Sequence, residues 1–268
     1  MRLRSALPMI RLIDRQQAPA FLSFCEGSPY GVRIAAFLEA YGTGYPFALF
    51  WMQTDEAGRL TAALSRVDGN VTVCAVKRAD LEEIWEFLYA VGFESVLCPE
   101  WVVRENCLLP GCRLQRCLPM RLHSSLVPQK HEVVSLCKEP PLPKVYEILT
   151  AAGEPLPSLA AWLPDVSHRV RHGTARVWAV QDRDEWIACA MAVALTRREA
   201  FLGGVAVLPE KRTNGIGSYL TASLCRALSE EGKMVFLFRE DGLHEAFYRR
   251  IGFEPYGEST LIITRKGV

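Results

Sequence analysis

The amino-acid sequence predicts an α/β (α+β) fold: a mixed, mostly antiparallel central sheet flanked by helices, organised as two related domains. Three observations carry that prediction. Short apolar runs bounded by Gly, Pro and acidic turns read as strands, and they alternate with segments whose apolar residues recur at helical spacing. In the second half a strand hairpin precedes a strand–helix–strand unit, an order that covers both faces of a mixed sheet with helices. A shortened version of the same order occurs in the first half.

The bulk properties fit that organisation. The chain has 268 residues, 50% of them apolar, which is enough for the cores of two ordinary domains. A net charge of +1 argues against a nucleic-acid partner and against a basic membrane-surface protein. No stretch approaches the ~20 apolar residues of a membrane span. The opening MRLRSALPMIRLIDR, broken by Pro8 and Arg11, does not read as a signal peptide. Nine cysteines without a C-x-x-C pair point to reduced thiols and a cytoplasmic address. Cys98, Cys107, Cys112 and Cys117 together could supply four thiolates to zinc, but their spacing is looser than paired knuckles and no histidine lies among them. Buried thiols, and no metal, are therefore expected. Oligomeric state leaves no signature.

In the first half, Gly42-Thr43 closes a helix and leads into an apolar strand, an acidic turn and a second strand ending at Leu64. This segment, Tyr41 to Leu64, parallels His172 to Leu195, and FLYAVGFE (Phe87 to Glu94) parallels FYRRIGFE (Phe247 to Glu254). The interval from Gly42 to Gly92 is 29 residues shorter than that from Gly173 to Gly252. That deficit is about what a glycine turn, its helix and part of a strand would occupy, and Leu88 stands where the second half has Tyr248. Residues 1–137 thus read as a degenerate copy of residues 138–268, with KEPPLPK (Lys138 to Lys144) as the connector, since its prolines can continue neither helix nor sheet.

The second half opens with a short helix, a proline turn (Gly153 to Pro157) and a longer helix from Ser158 to His172, expected to bend or split at Pro164. Strands Ala175 to Gln181 and Trp186 to Leu195 follow, joined by an acidic turn. A third strand, Phe201 to Leu208, stops at Pro209. After a polar turn and two glycines, Ile216, Leu220, Leu224, Ala227 and Leu228 recur at helical spacing. Met234 to Arg239 is another strand. Asp241 then reads as an N-cap, Leu243, Phe247 and Ile251 as one helix face, and Gly252 as the C-terminal stop. A last strand pair ends near Ile263.

Strand, glycine turn and helix N-terminus make a site for phosphate, because the first amides of a helix lack partners and its dipole favours an anion. Neither G-x-G-x-x-G nor G-K-S/T is present. The pattern R-x-x-G-x-G (Arg212, Gly215, Gly217) after V-A-V-L-P resembles the pyrophosphate-binding segment of the GCN5-related N-acetyltransferase (GNAT) superfamily. F-Y-R-R-I-G-F resembles that family's fourth-helix signature, with Tyr248 on its tyrosine and Gly252 and Phe253 on its closing pair. Asp241 and His244 depart from it, standing where asparagine and alanine are usual.

The resemblance implies an acetyltransferase-like fold, acetyl-coenzyme A as cofactor, and N-acetylation of a primary amine on a small molecule or peptide. Tandem members with one inactive copy exist in the family, and this chain resembles one. By the resemblance, main-chain amides of Lys211, Arg212, Thr213, Asn214, Gly215, Ile216, Gly217 and Ser218 hold the pyrophosphate, with Lys211 and Arg212 adding charge. The strand Val205, Ala206, Val207 pairs with the pantetheine, an amide near Val207 faces the oxyanion, and Asp241 and Phe247 add cofactor contacts. Tyr248 is the expected proton donor, a phenol at ~10 facing a thiol at ~8.5 without a large mismatch. Glu185, Glu199, His168, His172 and His244 are the candidates for the base, and the family's use of ordered water means that no single base is required. A non-catalytic coenzyme A-binding regulatory or interaction protein is the alternative, and transfer of a longer acyl group a third reading.

Overall fold

A computed structural model describes residues 10–103, 111–124 and 134–265. Contacts gather into two units, Met1–Cys117 with Glu258–Val268, and Leu118–Gly257.

The first unit contains β1 (Ile10–Leu12), α1 (Ala18–Cys25), α2 (Pro29–Tyr41), β2 (Ala48–Thr54), β3 (Leu60–Val67), β4 (Asn70–Ala75), α3 (Leu81–Val91), β5 (Ser95–Pro99) and the start of β6 (Cys112–Leu122). The second continues with β7 (Ser135–Cys137), α4 (Leu142–Ala151), α5 (Leu159–Arg171), β8 (Arg176–Asp182), β9 (Glu185–Leu195), β10 (Glu199–Val207), α6 (Ile216–Glu230), β11 (Met234–Glu240), α7 (Glu245–Ile251) and β12 (Phe253–Pro255). The last strand, β13 (Thr260–Arg265), belongs to the first unit.

Within the first unit the strand order is β1-β2-β3-β4-β5-β13-β6. Only β4 and β5 run parallel there, and α3 supplies the crossover that parallel strands require. β13 is a central strand, antiparallel to β5 from Thr260↔Pro99 to Thr264↔Ser95 and to β6 from Thr260↔Cys117 to Arg265↔Cys112. Its Leu261 and Ile263 join Leu64, Val73, Ile84 and Val96 in the core. The Tyr30 hydroxyl lies 2.6 Å from Thr260 Oγ1, so a buried polar contact also fixes its register.

In the second unit the order is β6-β11-β10-β9-β8-β7, with β12 pairing β6. Alternate residues of β8 feed opposite cores, as a period of two demands. Val177 and Ala179 meet Val145, Ile148, Leu149, Trp162 and Val166 of α4 and α5. Trp178 and Val180 meet α6 on the other face, where Ala188, Ala190 and Ala192 leave room for Leu220 and Leu224. β10 pairs antiparallel with β9 but parallel with β11, and the parallel register runs only from Glu199↔Met234 to Leu202↔Leu237. A register shift between Gly203 and Ala206, with Gly204 at φ +57°, marks a bulge just beyond that point.

The fold class is as expected, with the sheet mostly antiparallel and helices on both faces, but several details differ. The unit boundary falls inside β6 rather than at residue 137, because β7 pairs β8 and so ties 135–137 to the second unit. KEPPLPK is the turn from β7 into α4, with Pro141 at its N-cap. The final two strands do not pair with each other; both pair with β6. Pro164 sits inside one helix, Leu159–Arg171, without splitting it. Its missing N–H leaves the carbonyl of Ala160 in an exposed first turn, where water can serve. α3 links two parallel strands and so occupies the topological place of α6, not of α7 as FLYAVGFE suggested. Of the four clustered cysteines, Cys107 lies outside the described residues. Cys98 and Cys117 are buried, Cys112 is half-buried, and among the described residues no metal-holding group occurs. No described helix is long and apolar enough to cross a membrane.

A fragment ending at residue 137 loses β13, whose Leu261 and Ile263 are each worth ~1.5–3 kcal/mol of burial. That fragment is expected to unfold without a cooperative transition by circular dichroism, and joining residues 258–268 to it through a flexible linker is expected to restore one.

Candidate active site

The turn between β10 and α6 is built from conformations that few side chains tolerate. Thr213 lies at φ +71° and Gly215 at φ +76°, and a left-handed β-branched residue costs about 1–3 kcal/mol. Gly215 is the N-cap of α6 and brings no capping side chain. The first helical bond is Tyr219 N–H to Gly215 O at 2.9 Å. The amides of Ile216, Gly217 and Ser218 therefore have no acceptor among the described residues, and no acidic side chain stands in the first turn. A Cβ at Gly215 would meet nothing within 4 Å, so the space before these amides is open. At Gly217 a Cβ would lie 3.1 Å from Val207 Cγ2, so glycine lets the helix start close against the strand.

The open space is one end of a pocket of about 560 Å³. Its floor is Val205, Ala206 and Val207, and its walls are Lys211, Arg212, Thr213, Gly215, Ile216, Gly217 and Ser218 on one side and Phe247 and Tyr248 on the other. Of the expected residues, Asn214 and Asp241 do not line it. Asp241 is not the N-cap either. Gly242 (φ +79°) and His244 (φ +57°) turn the chain first, so α7 begins only at Glu245, and Leu243 is exposed. Four lining residues were outside the expected set: Ala152, Glu154, His244 and Arg250. His244 had been weighed only as a base. The proline turn GEPLP marked the place of Glu154, but nothing in that stretch signalled chemistry.

Beyond Leu202 the ladder between β10 and β11 stops, so the side of Val205–Val207 turned away from β9 has no strand partner among the described residues. Leu208 N–H donates to Ile187 O on β9 at 2.9 Å. Because backbone groups alternate sides along a strand, the N–H and C=O of Val207 face the pocket. Arg212 confirms the direction: its Nε donates to Val207 O at 3.2 Å, and its Nη2 to Ala152 O at 3.5 Å. Those two bonds hold the guanidinium at the pocket mouth and leave three of its five N–H groups over.

Lys211 behaves differently from Arg212. Its ammonium lies 3.2 Å from Asp182 and 3.0 Å from Glu185 across the β8–β9 turn, and these partners hold its pKa above the usual value. Lys211 thus ties the turn to the hairpin, and its charge is already matched rather than free for an anion. The same pair engages Glu185. Glu199 is buried at the far end of β10, and His168 and His172 stack on the surface of α5. Of the groups weighed as a base, only His244 reaches the pocket.

Tyr248 packs edge-on against Phe247 and Phe253, with ring centroids 5.0 and 5.9 Å away. Its N–H bonds to His244 O at 3.1 Å, and its hydroxyl has no hydrogen-bond partner among the described residues. Burial, then the charge of Glu154, pushes the phenol up to about 12. The small mismatch expected with a thiol at ~8.5 is therefore wrong for this site: outright proton transfer would be uphill by roughly 5 kcal/mol. The group is a neutral hydrogen-bond donor across the physiological range. Gly252, which ends α7, sits at φ +108° with Ser124 O only 1.7 Å from where a Cβ would be, so glycine alone fits there.

The corresponding turn of the first unit is filled. Asp80 caps α3, accepting from Glu83 N–H at 3.1 Å, and Glu82 and Glu83 occupy its first turn. Buried Gln53 bonds Asp80 O at 2.9 Å, Glu83 Oε2 at 2.8 Å and, through its Oε1, the Asp80 N–H at 3.1 Å. Three acids around a helix N-terminus repel an anion and occupy its place.

Comparisons with known proteins agree with the fold. Residues 173–255 match the family model described as the acetyltransferase (GNAT) domain. Among solved structures, a Drosophila protein shares the fold at TM-score 0.74 and 14% identity, over 97% of this chain and 99% of that one. A GCN5-related N-acetyltransferase from Sphaerobacter thermophilus matches at TM-score 0.62 and 16% identity, over 97% and 96%. A tandem GNAT protein from the clavulanic acid biosynthesis pathway matches at 0.59 and 15%, over 97% and 99%. No curated protein matches the sequence.

The raised phenol makes a prediction. Folded Tyr248 ionises near 12 and an unfolded tyrosine near ~10. Its preference for the neutral form is thus intact below pH ~10 and lost as pH rises toward 12. Between pH 9 and 11.5 the wild type is expected to lose roughly 2 kcal/mol more stability than Tyr248→Phe, measured by urea unfolding.

Proposed function

We propose that this chain, whose residues 173–255 match the acetyltransferase (GNAT) domain, transfers an acetyl group from acetyl-coenzyme A to a primary amine, and that the first unit supplies no residue to the cofactor site. The observation that carries the reading is the row of unpartnered amides at Ile216, Gly217 and Ser218, open to a pocket and flanked by Arg212. A diphosphate fits that chemistry: it has several acceptor oxygens, and the site offers amides and a guanidinium with no carboxylate in the first turn. When bound, acetyl-coenzyme A would supply an acetyl thioester activated toward an amine.

The residues of the chain have separate tasks. Gly215 to Ser218 and Arg212 bind the diphosphate. The edge of Val205–Val207 beyond the end of the β11 ladder offers backbone groups to an extended amide-bearing chain, as a strand edge does, with Val207 O shared with Arg212. Val207 N–H is the fixed donor for negative charge developing on the carbonyl oxygen, a contribution of about 3–4 kcal/mol in comparable sites. Tyr248 donates a hydrogen bond to the departing sulfur, stabilising it without surrendering the phenol proton early. The aromatic rings of Phe247 and Tyr248 exclude water from that end of the pocket.

Acetyl-coenzyme A is expected to raise the melting temperature of the wild type. Arg212→Ala should raise its Kd about 10–100-fold, and Gly215→Ala roughly fivefold through the cost of a Cβ in the left-handed region. Tyr248→Phe should leave that Kd unchanged while lowering kcat about 100-fold over a panel of amines. Undiminished turnover in Tyr248→Phe removes the tyrosine from the mechanism, and absence of any thermal shift in the wild type removes the cofactor.

A further inference from the structure

The pocket has one carboxylate, Glu154, and the proposed handling of acetyl-coenzyme A has no use for it. A diphosphate and a thioester gain nothing from a negative charge, yet this one is held firmly in place. α4 ends in a six-to-one bond, Glu154 N–H to Leu149 O at 3.0 Å, with Gly153 at φ +88° making the left-handed turn before it. The backbone of Glu154 is thereby fixed while its side chain is exposed and makes no hydrogen bond or ion pair among the described residues. No ion pair joins it to the arginines of the pocket among the described residues: Arg212 bonds the carbonyls of Val207 and Ala152, and Arg250 is exposed on α7.

Its place is in the lining that also holds the bulged strand and the phenol. After burial itself, the charge of Glu154 is among the influences raising both the Tyr248 phenol and the Cys189 thiol. Cys189 pairs with Ala206 across β9 and β10, beside the bulge, and its Sγ contacts Gly204 O at 3.7 Å. Glu154 lines the same pocket as Val205–Val207 and Tyr248, the end where the thioester of an extended ligand would lie if its diphosphate sat at α6. A carboxylate at that end opposes a second anion and attracts a cation.

We infer that Glu154 is the anchor for the acceptor, and that the acceptor is an alkylamine presented as its ammonium ion. The inference rests on the acetyl-transfer reading of the same pocket. The ammonium docks against the carboxylate, which orients the nitrogen beside the donor and receives or relays the proton that must leave before the lone pair can attack. Docking also offsets the charge that adds to burial in raising Tyr248, so the phenol becomes a better donor when an acceptor is present. Substrate occupancy and proton donation are coupled through one side chain. Neutral arylamines and alcohols lack the charge and are selected against.

The test uses the full chain and Glu154→Gln, with 1,4-diaminobutane as the cationic probe and aniline as the neutral one. With coenzyme A bound, so that no transfer can occur, the Kd of 1,4-diaminobutane by calorimetry should rise at least tenfold in Glu154→Gln. The Kd of coenzyme A should stay within twofold, and Glu154→Asp should recover part of the diamine affinity. In turnover, KM for the diamine should rise tenfold or more in the variant while transfer to aniline changes less than threefold. Equal diamine affinity in wild type and Glu154→Gln, or no diamine binding to wild type, overturns the assignment. A loss of affinity in the variant without acetyl transfer by the wild type would instead sustain Glu154 as the cation site and refute the transfer reaction. Equal losses on both acceptors would mark a structural role and also overturn it.

Discussion

The structure around the site depends on one constraint: a helix that begins without a cap. Every helix starts with amides that its own hydrogen bonds cannot reach, and most recruit a Ser, Thr, Asp or Asn to satisfy one of them. α6 begins at Gly215, which has no side chain to give, after a turn that forces Thr213 into a left-handed conformation. That choice gives up roughly a few tenths of a kcal/mol of capping and adds backbone strain at Thr213. The strain is sustained by the packing of α6, whose Leu220, Leu224 and Leu228 are fully buried against the sheet. An external anion is the natural partner for what the turn leaves open.

The two units give the comparison its force. Each contains a strand, a turn, a helix and a parallel strand, yet one helix start is stripped of side chains and the other is crowded with them. Asp80, Glu83 and Gln53 satisfy one another and the backbone of α3 with bonds of 2.8 to 3.1 Å. The same element is thus left open in one place and closed by a polar network in the other. What separates them is the residue at the cap and the sign of the charges beside it.

Much of this was legible in the sequence, for physical reasons. A glycine turn between an apolar strand and a periodic helix has few structural solutions, so residues 205–218 could be placed before any coordinates. Gly252 followed from its place as a C-terminal stop and Tyr248 from the resemblance of F-Y-R-R-I-G-F to the family signature, and Gly252 is held to its identity by Ser124. What stayed hidden depended on contacts distant in sequence. Nothing local says that β13 returns to pair with β5, or that Lys211 is spent on Asp182 and Glu185. The boundary was misjudged for the same reason: a proline-rich segment looks like a linker whether it joins domains or turns a corner inside one. Glu154 was invisible because an exposed glutamate after a helix is ordinary until a pocket is seen beside it. The pKa of Tyr248 needed its burial, which spacing alone does not give.

The central claim is that the amides of Ile216, Gly217 and Ser218 are the ones that take hold of the diphosphate. Backbone amide resonances followed through a titration with acetyl-coenzyme A address it directly. The account predicts that these three shift strongly, gain protection from hydrogen exchange and saturate at one equivalent, while the amides of Leu81, Glu82 and Glu83 stay where they are. Unmoved resonances at 216–218, or matching shifts at 81–83, would contradict it.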